Sequence, residues 1–154
     1  MAHTNQLHSG FDLIEAQAED LEETLGTDHT YTGFTCLGTA GETLVFGNLV
    51  YRLPADGEWY LADADAEVST RPMLAMVCED ISEGSTGLLL LIGFMRDDDF
   101  SLTDGEPAWV SVTAGAIANV APGSGDFARK IGFGHGATSH ILWFCPDATV
   151  IEIA

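Results

Sequence analysis

Residues 41–80 read GETLVFGNLVYRLPADGEWYLADADAEVSTRPMLAMVCED. The order of apolar runs and turn residues in this stretch decides the fold class. Two apolar runs (Leu44–Phe46 and Leu49–Leu53) lead into a Pro-Ala-Asp-Gly turn. A short aromatic run follows at Trp59–Leu61, then a small acidic loop, then a further apolar run at Leu74–Glu79. Runs this short, rich in β-branched and aromatic residues and bounded by Gly, Pro and Asp, predict strands rather than helices. Asp63, Asp65 and Glu67 alternate, which places them on one side of an extended segment. Unpaired acids there would discourage edge-to-edge association.

The pattern continues along the chain. Further strands are predicted at Phe34–Leu37, Thr43–Phe46, Gly87–Gly93, Ala108–Val112, Ile117–Val120, Ala128–Phe133, His140–Phe144 and Thr149–Ile153. Turn residues recur about every ten residues, the spacing of an all-β sandwich or barrel. Asp56-Gly57 and Ala114-Gly115 have the form of tight hairpin turns. An offset of 58 residues carries Gly47 to Gly105, Tyr51 to Trp109, Gly57 to Gly115 and Arg71 to Arg129. The expected fold class is therefore all-β, a compact barrel- or sandwich-like domain built as two related β units over residues 31–154.

Residues 1–30 read as an N-terminal arm with one short amphipathic helix, serving attachment or oligomerisation. Phe11, Ile14, Ala18, Leu21 and Leu25 recur at three- and four-residue steps over Phe11–Leu25. Gly26 stands where a helix C-terminus favours glycine. Phe11, Ile14, Leu21 and Leu25 are the candidate interface residues. The stripe covers about two heptads, too few for an independently stable coiled coil. It must pack on its own or a neighbouring domain, or on copies of itself.

The chain has 154 residues with a net charge of −19, from 24 acidic against 5 basic side chains, and Lys130 is the one lysine. So acidic a surface excludes phosphate-backbone binding and anionic membranes. No nucleic-acid or membrane partner is expected. Self-repulsion at this charge density destabilises the compact state in dilute buffer. Screening to a Debye length of about 3 Å in ~1 M salt relieves it. A saline setting is one reading of the composition; a solubilising surface is the other. The opening MAHTNQLHSG has neither a basic region nor an apolar core, so no secretory signal is expected. The longest apolar run, around Leu88–Ile92, is far too short to span a bilayer.

The three cysteines, Cys36, Cys78 and Cys145, are widely separated and odd in number, which indicates neither disulfide framework nor zinc site. Asp97 and Asp99, with Asp104 nearby, are candidate ligands for a structural cation. Their spacing does not match a calcium-loop pattern, and a solvated acidic turn is the plainer reading. His135 and His140 flank a glycine-rich turn across which two imidazoles could face each other. Trp59, Trp109 and Trp143 read as core or interface anchors rather than sugar platforms. No nucleophile elbow or dinucleotide fingerprint is present. No enzymatic activity and no cofactor are expected.

Read together, five segments resemble one family. They are GETLVFGNLVY (41–51), DGEWYLADADAE (56–67), EDISEGSTGLLLLIGFMRDD (79–98), WVSVTAGAIANVAPGSGD (109–126) and ILWFCPDATVIEI (141–153). They are similar to a structural domain that recurs in tailed-virus virion proteins: capsid decoration proteins, head fibres and tail-fibre segments. The likeness runs from about Cys36 to Ile153. It departs from the family pattern at Asn48, where Asp is expected, at Leu61 for Lys, at Cys145 for Asn, and in the Gly132–Gly136 turn. The resemblance implies a structural protein on the capsid surface, assembled in the host cytoplasm. It also implies a homotrimer that binds the major capsid protein, here from a virus of a halophilic host. A tail-fibre or spike module that attaches to the host surface is the alternative it implies.

Overall fold

The computed structural model describes residues 21–154, so Phe11, Ile14 and most of the predicted helix lie outside the described residues. The protein is all-β. Its organising strand is β5 (Thr86–Arg96), preceded by β1 (Thr30–Thr39), β2 (Leu49–Arg52), β3 (Trp59–Leu61) and β4 (Leu74–Val77). After it come β6 (Pro107–Val110), β7 (Ile117–Ala118), β8 (Phe127–Ala128), β9 (Lys130–His135), β10 (Ile141–Phe144) and β11 (Ile151–Glu152).

One edge of β5 is taken along its whole length by β1. The other edge is shared. β4 pairs with it at Leu89 and Leu90, and β10 pairs with it from Gly93 to Arg96. Two arms therefore leave β5 side by side, β4-β2-β3 and β10-β9-β6-β7. The sheet curls until the arms meet again. Leu49 N–H donates to Gly115 O, Gly115 N–H to Ala62 O, and Ala64 N–H to Ser111 O, each at 2.8 Å. The long β5 can serve both arms because a bulge opposite Phe34–Thr35 shifts its register. An extra residue flips the alternation of side chains, so Leu90 and Met95, five positions apart, both enter the same core.

That core fills the inside of the curl, with Leu49, Met76 and Leu90 facing Val110, Ile131 and Phe144. A second cluster lies on the opposite face of the first arm, where Val50, Trp59, Ala75 and Val77 are covered by Leu44 and Ile81. β4 is buried on both faces. Leu74 and Met76 point into one cluster, Ala75 and Val77 into the other. A strand covered on both sides reads as an unbroken apolar run, which is how LAMV looks in the sequence.

Both predicted hairpins form, β2-β3 through Gly57 and β6-β7 through Gly115, each glycine with a positive φ. Several expectations are corrected. Thr43–Phe46 is not a strand; only Leu44 makes a bridge, to Ile81. The reason is local: Val45 N–H donates to Asn48 Oδ1 and Phe46 N–H to Asp80 Oδ1, each at 3.0 Å. Side chains thus take the donors a ladder would need. Asp63, Asp65 and Glu67 do not share an extended segment. Asp65 N–H closes a turn onto Asp63 Oδ1, and Glu67 begins a four-residue helix, Glu67–Thr70. The predicted helix does not continue through Leu21–Leu25, which are not helical. Their backbone groups bond to the sheet instead, Glu22 N–H to Thr32 Oγ1 at 3.3 Å and Leu25 O to Arg96 at 3.0 Å. Among the described residues no helix is long and apolar enough to cross a membrane.

Candidate functional site

The acidic turn that ends β5 is the most elaborated polar site among the described residues. Asp97 N–H donates to His140 O, and Phe100 N–H returns to Asp97 O. Asp97 Oδ1 accepts the Asp99 N–H at 2.9 Å, an Asx turn that tightens the corner. The segment before β1 locks onto it. Asp28 Oδ1 accepts the Asp98 N–H at 2.8 Å and the His29 N–H at 2.9 Å. His29 sits at φ 54, in the left-handed region that His and Asp tolerate better than most residues. Its ring stacks on Phe46 at 4.6 Å, and its Nε2 lies 4.0 Å from Asp97 Oδ1.

Gly47 completes the arrangement. A Cβ there would sit 2.1 Å from Asp97 Oδ2, and the backbone has φ +83, so glycine is required on both counts. Asp97 is 6% exposed. Burial pushes its carboxyl pKa up, against the opposing pull of the Asp99 N–H and of His29. Next door, the hydrogen bond from Arg96 holds exposed Asp98 below the ordinary carboxylate value. A cleft of about 550 Å³ opens beside this corner, lined by Phe46, Asn48, Asp97, Asp99 and Ile117 among others.

Asp28, His29 and Asp97 bring one ligand atom each to within 4.8 Å of one another. Two carboxylates and an imidazole are a donor set that suits a divalent transition ion. Both carboxylates also have a structural duty, since each accepts backbone N–H groups of the corner. Of the predicted cation ligands, Asp97 is in this group and Asp99 lines the cleft. Asp104 is elsewhere, its Oδ1 accepting the Gly136 N–H at 2.8 Å. Asp28 and His29 were not legible as site residues. The only signal was a polar Asp-His pair before a strand.

The remaining candidates are dispersed. His135 and His140 do not face each other: His135 Nε2 lies 3.4 Å from Glu23, while His140 Nδ1 is 2.9 Å from Phe100 O. Trp59 is core, and Trp143 stands on the outer face beside Phe94 at 4.6 Å. Leu25 is buried and Leu21 exposed. All three cysteines are free thiols. Burial raises the pKa of each, that of Cys78 to about 12, which keeps them protonated and poorly nucleophilic.

A buried cation was the least expected feature. Arg129, 6% exposed, donates from Nε to Asp147 O at 2.6 Å and from Nη1 to Thr70 O at 2.7 Å. It also reaches the carbonyls of Arg71 and Pro72. It closes the C-terminus of the short helix onto β9, and desolvation lowers its pKa.

No protein-family model matches this chain, and a search of curated proteins finds no match either.

Proposed function

We propose that this chain is a virion structural protein of a tailed virus. In this reading it is a capsid decoration protein that binds the outer capsid surface, with the major capsid protein and its own copies as partners. Homotrimers are the proposed working unit, and the role is mechanical rather than catalytic. One observation carries the reading. The segments that bear the family resemblance converge in space: Phe46-Gly47-Asn48, the Asp97 corner and the Gly115–Asn119 hairpin all border one cleft. Leu49 N–H donates to Gly115 O beside it. These residues are thus engaged in holding two arms of a sheet together, as expected of a domain signature rather than a reaction centre.

Attachment would come from ordinary interface burial. Val112 and Val120 stand exposed at the ends of the β6-β7 hairpin, as do Phe34 and Leu37 on β1. A stable interface needs roughly 800 Å² per partner, more than scattered apolar residues supply singly, which favours several copies acting together.

Quantitative mass spectrometry of purified particles tests the proposal. A decoration protein is expected at hundreds of copies per particle. A few tens would place it in the tail, in line with the fibre alternative, and its absence from particles would end the virion reading. The saline setting has a separate check. With 24 acidic groups against 5 basic ones, Tm is expected to rise steadily between dilute buffer and molar salt as repulsion is screened. A flat Tm would refute it.

A further inference from the structure

Asp28, His29 and Asp97 form more than an acidic turn. The fold sets an imidazole between two carboxylates, one from before β1 and one from after β5. Contacts around the trio set the aim of each donor. Asp28 Oδ1 accepts the N–H groups of His29 and Asp98, which leaves Oδ2 beside the His29 ring, 3.8 Å from Nε2. The ring is held by its stack on Phe46, with the planes 26° apart. Its Nε2 also lies 4.0 Å from Asp97 Oδ1. Hydrogen-bonded carboxylates and an oriented imidazole are what a metal ion requires of its ligands.

The buried member of the trio carries an unmet electrostatic demand. Asp97 is 6% exposed, yet among the described residues no lysine or arginine pairs with it, and neighbouring Arg96 is taken by Asp98. Asp97 Oδ1 accepts the Asp99 N–H. Oδ2, lodged against Gly47, accepts no hydrogen bond among the described residues. A carboxylate drawn out of water needs a cation or a full set of donors. Here a second carboxylate, that of Asp28, is brought within 4.8 Å of it instead.

We propose that Asp28, His29 and Asp97 bind one divalent transition-metal ion of the zinc type, which ties the segment before β1 to the end of β5. Around a tetrahedral ion at about 2.1 Å, ligand atoms stand about 3.4 Å apart. The two nitrogen–oxygen separations are 3.8 and 4.0 Å. Side-chain rotation of Asp28 and His29, both about half-exposed, closes that difference while buried Asp97 stays fixed. The imidazole selects zinc, cobalt or nickel over calcium and magnesium, which take oxygen ligands. Water fills the positions on the exposed side. The competing arrangement, a protonated His29 bridging the two carboxylates, binds no metal. This inference is independent of the virion reading.

Zinc chloride titrated into the full chain tests it, in about 1 M salt so that diffuse cation binding to the acidic surface is screened. In long-range proton–nitrogen NMR spectra of the imidazole rings, the His29 Nε2 resonance is expected to shift and saturate, while those of His135 and His140 stay in place. Calcium or magnesium at the same concentration should not reverse the shift. Calorimetry of two variants adds a second readout. His29→Asn keeps a residue that tolerates left-handed backbone, and Asp28→Asn keeps the Oδ1 acceptor. Each should weaken zinc binding at this site at least about tenfold. An unmoved His29 resonance in the parent chain would overturn the proposal without any substitution. So would zinc affinity unchanged in both variants, the mark of thiols or other histidines as ligands, or displacement by equimolar calcium, the mark of a plain acidic loop.

Discussion

The two arms of the sheet repeat one hairpin and finish it differently. An offset of 58 residues carries Leu49 of β2 to Pro107 of β6 and Trp59 of β3 to Ile117 of β7. The cross-strand register follows: Tyr51 opposes Tyr60, and Trp109 opposes Ala118. Sheet order mirrors across β5 and β10, so the arms are related by an approximate twofold arrangement. The same offset takes Leu74 and Met76, core residues of β4, to Gly132 and Gly134 of β9. In the second arm backbone occupies that space. A Cβ at Gly134 would lie 2.3 Å from Thr103 O, and one at Gly132 would lie 1.8 Å from Trp143 O. What one arm achieves with side chains, the other achieves by close approach of main chain. Repeated hairpins thus constrain local geometry while leaving each arm free to solve its own packing.

Equivalent positions in the two arms provide the sharpest ways to probe this difference. The largest effect is expected at Arg129→Ala. It would leave the carbonyls of Thr70, Arg71, Pro72 and Asp147 without their donor. With unsatisfied buried groups costing ~1–3 kcal/mol each when they stay dry, a loss of at least about 3 kcal/mol is expected, read as a fall in the urea midpoint. A loss below about 1 kcal/mol would mean that water replaces the guanidinium.

An intermediate contrast separates Gly47 from Gly105. Both have positive φ, +83 and +75, so either alanine is strained by roughly 1–2 kcal/mol. At Gly105 nothing lies within 4 Å of the added carbon, whereas at Gly47 it meets Asp97 Oδ2. Gly47→Ala is therefore expected to cost about 1–2 kcal/mol more than Gly105→Ala in the same denaturation experiment, by displacing a carboxylate held by its own turn. Equal costs would show that the Asp97 corner yields freely.

The smallest effect belongs to Arg71→Ala, the counterpart of Arg129. Arg71 is exposed and pairs with Glu67 one helical turn away. Surface pairs of this kind contribute at most a few tenths of a kcal/mol, so the urea midpoint should hardly move. A shift rivalling that of Arg129→Ala would break the contrast between the arms.

Much of the fold was legible in the sequence, and the failures have physical causes. Both hairpin turns could be read because Asp-Gly and Ala-Gly announce left-handed backbone locally. Thr43–Phe46 reads as a strand because its apolar pattern is sound. What overrides it is a pair of side-chain acceptors, Asn48 and Asp80, one of them far along the chain. The acidic site was half legible. Asp97 stood out in a run of aspartates, but its companions Asp28 and His29 arrive only when the pre-β1 segment folds across the end of β5.

The division of labour is clear at residues 41–80. Alternating short apolar runs and turn glycines determine by themselves that this stretch forms β2, β3 and β4, because strand period and turn chemistry are local properties. They do not determine that β4 is buried on both faces, that β5 serves two arms from one edge, or that Arg129 is sealed among carbonyls. Those outcomes depend on which distant segments come to cover each face. Only tertiary structure settles them, because burial is a property of neighbours rather than of residues.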